Sequence, residues 1–245
     1  MGSKSVGFCR KEKTNMFNGK MKAVTFSYDD CTMQDIRLVE LFNKYNLKAT
    51  FNVNSELLGT ENELIRKGVR VRHDKIAAQD IKNIYSGHEV AVHTLTHPYL
   101  QNIEDDNEII RQIEEDRKNL ENLVEYEVCG MAYPGNGDNA DRVAEIIKEH
   151  TAIKYARTTI STYNFDLQDN LFLLNPTVHH DDYDNLFRLG EDFIKLKPDS
   201  PKLFYIWGHS FEFDIFDDWD KFEDFLELIS GKDDIFYGTN RDVLL

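Results

Sequence analysis

From Met21 onward the chain alternates short apolar runs with amphipathic segments, and this alternation constrains the fold more than any other feature of the sequence. The apolar runs are Lys22–Ser27 (KAVTFS), Ala49–Val53 (ATFNV), Glu89–Val92 (EVAV), Val128–Tyr133, Ile153–Ala156, Leu171–Leu174, Lys202–Trp207 (KLFYIW) and a last run around Ile235–Tyr237. Short, largely apolar runs of this kind, bounded by turn residues, predict strands. Between them, 33–45, 140–150, 185–196 and 218–229 predict helices, as does a long charged segment at about 103–123 with Ile109, Ile110, Ile113, Leu120 and Leu123 on one face. Short helices are also expected at 62–67 and 78–85. Strand–helix alternation with right-handed crossovers gives a parallel sheet, open or closed into a barrel. No linker, low-complexity segment or repeat interrupts it, so residues 21–245 read as a single catalytic domain behind a polar, basic arm at 1–20.

In such a sheet the reactive groups gather at the carboxyl ends of the strands. Asp29 and Asp30 follow the first strand, His93 and His97 the EVAV strand, Pro134 the 128–133 strand, and His209 the KLFYIW strand. Successive side chains of an extended segment point opposite ways, so Asp29 and Asp30 can serve different partners. The blander reading is an Asp-rich turn capping the next helix. The pair His93 and His97 can converge on one ion from a helical turn or a compact loop. Three oxygen or nitrogen ligands with one carboxylate left over suit a hydrolase that activates water at a metal. His209, alone at a strand end, suits a general acid or a satisfied near-core histidine.

These residues carry a family resemblance. In order and spacing, TFSYDD, ATFNV, GHEVAVHTLTHP and YIWGHS are similar to the motifs of the polysaccharide deacetylases, the NodB-like carbohydrate esterases of family 4, over about Met21 to Arg241. The first motif carries Tyr28 as an insertion and Cys31 where Gly is usual; HTLTH matches without departure. The resemblance implies a distorted (β/α) barrel of about seven parallel strands. It implies Asp29 as general base, Asp30, His93 and His97 as metal ligands, and His209 as the acid. The metal it implies is zinc first, with cobalt, nickel or manganese able to substitute.

The third motif departs further. MAYPGNG (131–137) keeps Pro134 and the glycines but not the family's Arg. The Gly135 N–H remains available as an oxyanion donor, because a backbone donor needs no particular side chain. Arg157 is open between replacing the missing Arg and forming a surface ion pair. The carboxylate that orients His209 is expected at Asp166 or Asp169. Trp207 reads equally as a wall for an acetyl methyl or as a core aromatic. The run His179-His180-Asp181-Asp182 is expected to be a solvated loop near the substrate cleft.

The expected reaction is hydrolysis of an N-acetyl or O-acetyl group on a carbohydrate, releasing acetate. The alternatives are hydrolysis of another non-peptide C–N bond and a non-catalytic carbohydrate-binding relative. A glycosidase would leave the histidine pair unexplained and needs two carboxylates flanking the scissile bond. A net charge of −15 argues against nucleic acid and anionic membrane as partners. Three cysteines, Cys9, Cys31 and Cys129, are too few for a disulfide framework, and the amino terminus lacks an apolar signal core. Both point to a cytoplasmic setting.

Overall fold

The computed structural model describes residues 13–135, 137 and 140–245. Cys9, Asn136 and the first twelve residues of the expected arm lie outside these. The described end of the arm, Lys13–Gly19, forms short 3₁₀ turns with a kink at Met16, Phe17 and Asn18. Its Phe17 packs with Ala23, Leu203, Tyr205 and Val243.

The strands are β1 (Lys22–Asp29), β2 (Ala49–Val53), β3 (Glu63–Arg66), β4 (Val69–Arg72), β5 (Glu89–Val92), β6 (Gly130–Ala132), β7 (Tyr155–Arg157), β8 (Val178–His179), β9 (Lys202–His209) and β10 (Ile235–Tyr237). Seven of them pair in the order β7-β6-β5-β2-β1-β9-β8, every ladder parallel. Strand β1 pairs along its whole length with β9, while β10 and then β2 share its other edge. No ladder joins β8 to β7 among the described residues. The barrel is therefore distorted and incomplete, as the resemblance implied.

Strand β1 is buried throughout, yet its two faces differ in chemistry. Val24, Phe26 and Tyr28 enter an aromatic core with Phe42, Phe51, Phe213 and Phe222. Each fully buried phenyl there contributes roughly 1.5–3 kcal/mol. Thr25, Ser27 and Asp29 face polar partners instead: Thr25 Oγ1 donates to Asn240 Oδ1 (2.9 Å), and Ser27 Oγ accepts from Asn52 Nδ2 (2.9 Å). A polar barrel interior wrapped by an apolar layer follows from this period-two alternation.

The outer helices are α1 (Asp35–Lys44), α2 (Ile81–Ile84), α3 (Asp106–Val124), α4 (Asp141–His150), α5 (Tyr183–Lys195), α6 (Glu212–Phe216), α7 (Trp219–Ile229) and α8 (Asn240–Leu244). In α3, Ile109, Ile113, Leu120 and Val124 form the buried stripe, and Asp105 caps the first turn by accepting from Asn107 N (2.9 Å). Among the described residues no helix is long and apolar enough to cross a membrane.

Two expected elements take another form. The helix expected at 62–67 is the first strand of the antiparallel hairpin β3–β4. Its two-residue turn has Lys67 at φ 52° and Gly68 at φ 80°, the doubly left-handed conformation that matches strand twist. The period-two pattern VRVR was the signal for it. The strand expected at 171–174 reduces to one bridge between Leu174 and Arg157. Asn170 Oδ1 accepts from Phe172 N (3.1 Å), and this local turn diverts the backbone from a ladder.

Candidate active site

The carboxyl ends of β1, β5 and β9 open onto a cleft of about 710 Å³ lined by Asp29, Asp30, His93, His97, Gly135, Trp207 and His209, among others. Arg157 lies behind it, fully buried at the end of β7.

Strand β1 stops at Asp29 because Asp30 (φ 82°) and Cys31 (φ 53°) turn left-handed. Such residues cost of order 1 kcal/mol or more each and persist where neighbours hold them. Here Asp30 N donates to Asn52 O (3.2 Å) and Ile76 N donates to Cys31 O (3.1 Å). The two carboxylates consequently meet different partners. Asp29, paired in register with His209, accepts from Asn52 Nδ2 at Oδ1 (2.8 Å) and from Arg157 Nη2 at both oxygens (2.6 Å to Oδ2). Burial works to raise its pKa, but Arg157, His93 and His209 outweigh it and hold Asp29 below the usual range. The guanidinium is fixed in turn, donating from Nε to Ser27 Oγ (3.2 Å) and from Nη1 to Thr158 O (3.0 Å).

Asp30 faces the histidine pair. Its Oδ1 lies 3.9 Å from His93 Nε2 and 3.6 Å from His97 Nε2. The motif HTLTH forms a compact loop rather than a helical turn, with Thr94 (φ 67°) and His97 (φ 61°) left-handed. His93 Nδ1 donates to Ala132 O (2.9 Å), which leaves Nε2 as the free ligand atom. Burial drives the His93 pKa down to about 4, so the ring is neutral at pH 7. Buried Asp116 of α3 holds the loop, accepting from Ser55 N (2.7 Å) and His93 N (3.2 Å).

A divalent metal fits this corner. One carboxylate and two neutral imidazoles present donor atoms within 4.8 Å of one another, a little wider than the roughly 3.3 Å edges of a tetrahedron with 2.0–2.1 Å bonds, so a small inward shift of the side chains would seat an ion. Two residues that the sequence did not single out also reach Asp30. His73 Nε2 lies 3.2 Å from Oδ2, and Lys75 Nζ lies 3.6 Å from Oδ1 and 2.6 Å from the backbone oxygen. Burial works to raise Asp30, yet His73, Lys75, His209 and His93 hold it well below the carboxylate range.

Across the cleft, His209 Nδ1 lies 3.2 Å from Glu212 Oε2. Burial works to lower the His209 pKa, but Glu212, Asp30 and Asp29 raise it. Glu212 thus occupies the place expected for Asp166 or Asp169. Asp166 is exposed and pairs with Lys202 Nζ (2.5 Å), while Asp169 faces a separate surface depression with Asp141 and Lys148. Glu212 lies three residues after His209, across the turn that joins β9 to α6.

The run 179–182 is also not the solvated loop expected. His180 is 1% exposed, and both His179 and His180 turn Nε2 toward Glu212 Oε2 (3.2 Å each). Pairing of β8 with β9 draws the run inward. Trp207 lines the cleft with the Arg157 guanidinium 4.7 Å over its ring and His179 edge-on at 4.5 Å.

An incomplete parallel (β/α) barrel with these groups at its strand ends defines the NodB-type fold. The polysaccharide deacetylase family model matches residues 17–153, more than half of the chain, and the chain belongs to that family. Among solved structures it is similar to the family 4 carbohydrate esterase from Streptomyces lividans in complex with acetate (14% identity, 89% of this chain and 92% of that chain, TM-score 0.53). It is also similar to the Bc1960 peptidoglycan N-acetylglucosamine deacetylase (17%, 90% and 87%, 0.53). A third is BA3943 from Bacillus anthracis, a pseudoenzyme of carbohydrate esterase family 4 (17%, 91% and 66%, 0.51). At these identities the likeness concerns the fold. The chain spans 61% of the length of a Streptococcus pyogenes deacetylase and 66% of BA3943. No curated protein sequence matches it.

Proposed function

We propose that the protein is a metal-dependent deacetylase that hydrolyses an N-acetyl or O-acetyl group on a carbohydrate, releasing acetate and a free amine or hydroxyl. The observation carrying this reading is the convergence of Asp29, Asp30, His93, His97 and His209 on one cleft. Asp30, His93 and His97 would hold the ion, zinc by the mixed nitrogen and oxygen donors, and a metal so held supplies Lewis-acid polarisation of the amide carbonyl. Asp29 stays ionised beside Arg157 and accepts the proton of the attacking water. The Gly135 N–H serves the developing oxyanion. His209, oriented through Nδ1 by Glu212, presents its other nitrogen to the cleft and protonates the leaving amine. Trp207, clamped by Arg157, walls the acetyl methyl.

One observation favours a second reading, a carbohydrate-binding relative without turnover. Lys75 Nζ sits 3.6 Å from Asp30 Oδ1, where an ammonium neutralises the carboxylate without an ion. Acetate release from chito-oligosaccharides, peptidoglycan fragments and acetylated xylan by zinc-loaded protein separates the two, with Asp29→Asn as the inactive control. Turnover of any of these supports the deacetylase. Sugar binding without acetate supports the second reading, and turnover of a cyclic amide alone would move the assignment to another C–N bond.

A further inference from the structure

Glu212 opens α6, and its carboxylate does more than meet His209. His179 Nε2 and His180 Nε2 each lie 3.2 Å from the same oxygen, Oε2. Donor atoms bound to one zinc ion at 2.0–2.1 Å in a tetrahedron stand roughly 3.3–3.4 Å apart. The third pair of this group, the two imidazoles, also falls within 4.8 Å. Both distal nitrogens are braced by oxygen: His179 Nδ1 by Asp181 Oδ1 (2.5 Å) and His180 Nδ1 by Tyr28 Oη (3.0 Å). Ligating imidazoles are oriented in this manner.

A second observation separates this cluster from an ordinary ion pair. His180 Nε2 is buried and makes no well-formed hydrogen bond, although Glu212 Oε2 lies 3.2 Å away. Leaving a buried polar atom unpaired costs roughly 1–3 kcal/mol. Coordination uses a lone pair along the ring plane and would remove that cost. The seat of the ring is also built into the sequence: a Cβ on residue 208 would stand 2.4 Å from His180 Nδ1, so Gly208 is required for the imidazole to lie against β9. Arg66 Nη1 holds Oε1 (2.9 Å), so an ion at Oε2 would share that oxygen with His209 N (3.3 Å) and Nδ1 (3.2 Å).

We propose that His179, His180 and Glu212 form a second divalent transition-metal site, taking Zn²⁺ or Co²⁺, that ties β8 to α6. It is separate from the Asp30 corner and stands whether or not the deacetylase reading holds. Two nitrogens and one oxygen select these ions over Mg²⁺ or Ca²⁺.

The test is metal stoichiometry on the full chain. Protein stripped with chelator is titrated with ZnCl₂ by calorimetry and with CoCl₂ by visible absorption, alongside elemental analysis. The expected result is two equivalents for the wild type and one for His97→Ala. His179→Gln, at a partly exposed position and thus safer for folding than His180→Asn, should also keep one, and the His97→Ala/His179→Gln pair none. Zinc should raise the Tm of His97→Ala but not of the double variant. Wild-type binding of one equivalent that survives His179→Gln and disappears in His97→Ala overturns the second site and leaves the first corner standing. One equivalent kept in His97→Ala and lost in His179→Gln supports the second site and counts against the first.

Discussion

Two corners of the site, one lining the cleft at Asp30 and one buried beside it at Glu212, each gather imidazoles around one carboxylate, and they reach that arrangement by different means. At Asp30 the backbone does the work: Asp30, Thr94 and His97 are left-handed, and His93 is held through a main-chain carbonyl. At Glu212 the side chains do it, through Asp181, Tyr28 and Arg66. Their resting charges differ as well. Burial leaves His93 neutral, with a pKa of about 4. His179 is also pulled down by burial, but Asp181 and Glu212 lift it to about 9, so it carries a proton at pH 7. The first corner therefore offers a lone pair as it stands, whereas the second holds a proton where an ion would sit. An ion entering the second corner therefore has to displace a proton from His179, whereas at His93 it does not.

The largest expected effect falls between the corners, at Asp29. Asn in its place keeps the shape but cannot take a proton. Acetate release should drop by about 10²–10⁴-fold, the range for a general base. Metal content at Asp30, His93 and His97 should stay unchanged by elemental analysis. A variant that kept its turnover would move the base elsewhere.

Arg157→Met is next and is read in stability. Removing one partner of a buried ion pair leaves Asp29 charged and unpaired, which costs about 3–5 kcal/mol. Urea unfolding at pH 7 measures it. A loss below about 1 kcal/mol, the scale of exposed pairs, would mean that Asp29 finds enough support from Asn52 alone.

Glu212→Gln probes the other corner with a smaller effect. Residues that orient a reacting group through hydrogen bonds typically change activity about 10–100-fold. Glu212 raises the His209 pKa, so a neutral amide lowers it, and the alkaline limb of the kcat profile should move to lower pH. An unmoved limb with reduced turnover would assign Glu212 a packing role only.

Much of this arrangement could be read in advance where it rests on local pattern. Strands β1, β2, β5 and β9 are short runs rich in apolar residues and buried throughout or nearly so, and that left Asp29, Asp30, His93, His97 and His209 visible at their ends. What escaped depends on partners distant in sequence or on elements too short to show a period. Arg157 could not be decided because Asp29 lies 128 residues away. Helix α6 has five residues, so Glu212 had no amphipathic stripe to announce it. His179 and His180 looked solvated since their burial comes from the two-residue strand β8. The hairpin that brings Arg66, and just beyond it His73 and Lys75, to the cleft was hidden by treating ELIRK as helical.

The last effect is gradual and concerns the strut between the corners. Asp35, fully buried, accepts from Tyr85 Oη (2.6 Å) and Ser210 Oγ (2.5 Å), and Ser210 in turn meets Thr32 Oγ1 at 3.0 Å. Thr32 follows the Asp30 turn and Ser210 follows His209, so this chain of hydroxyls sets the distance across the cleft. Burial pushes the Asp35 carboxyl up to about 7, only partly offset by Ser210 and Tyr85. The folded chain therefore keeps a proton there that the unfolded chain releases near pH 3.9. Between about pH 4 and 7 the native state binds the extra proton, and the stability it confers, complete below that window, declines as pH rises by about 1.4 kcal/mol per unit. Asp35→Asn removes this dependence while leaving an amide that Tyr85 and Ser210 can still bond. Urea unfolding of chelated protein at several pH values from 4.5 to 7 should show a wild-type slope steeper than the variant's by up to that amount. Parallel slopes would mean that Asp35 is ionised throughout, and the two corners would then be joined by a charged strut rather than a neutral one.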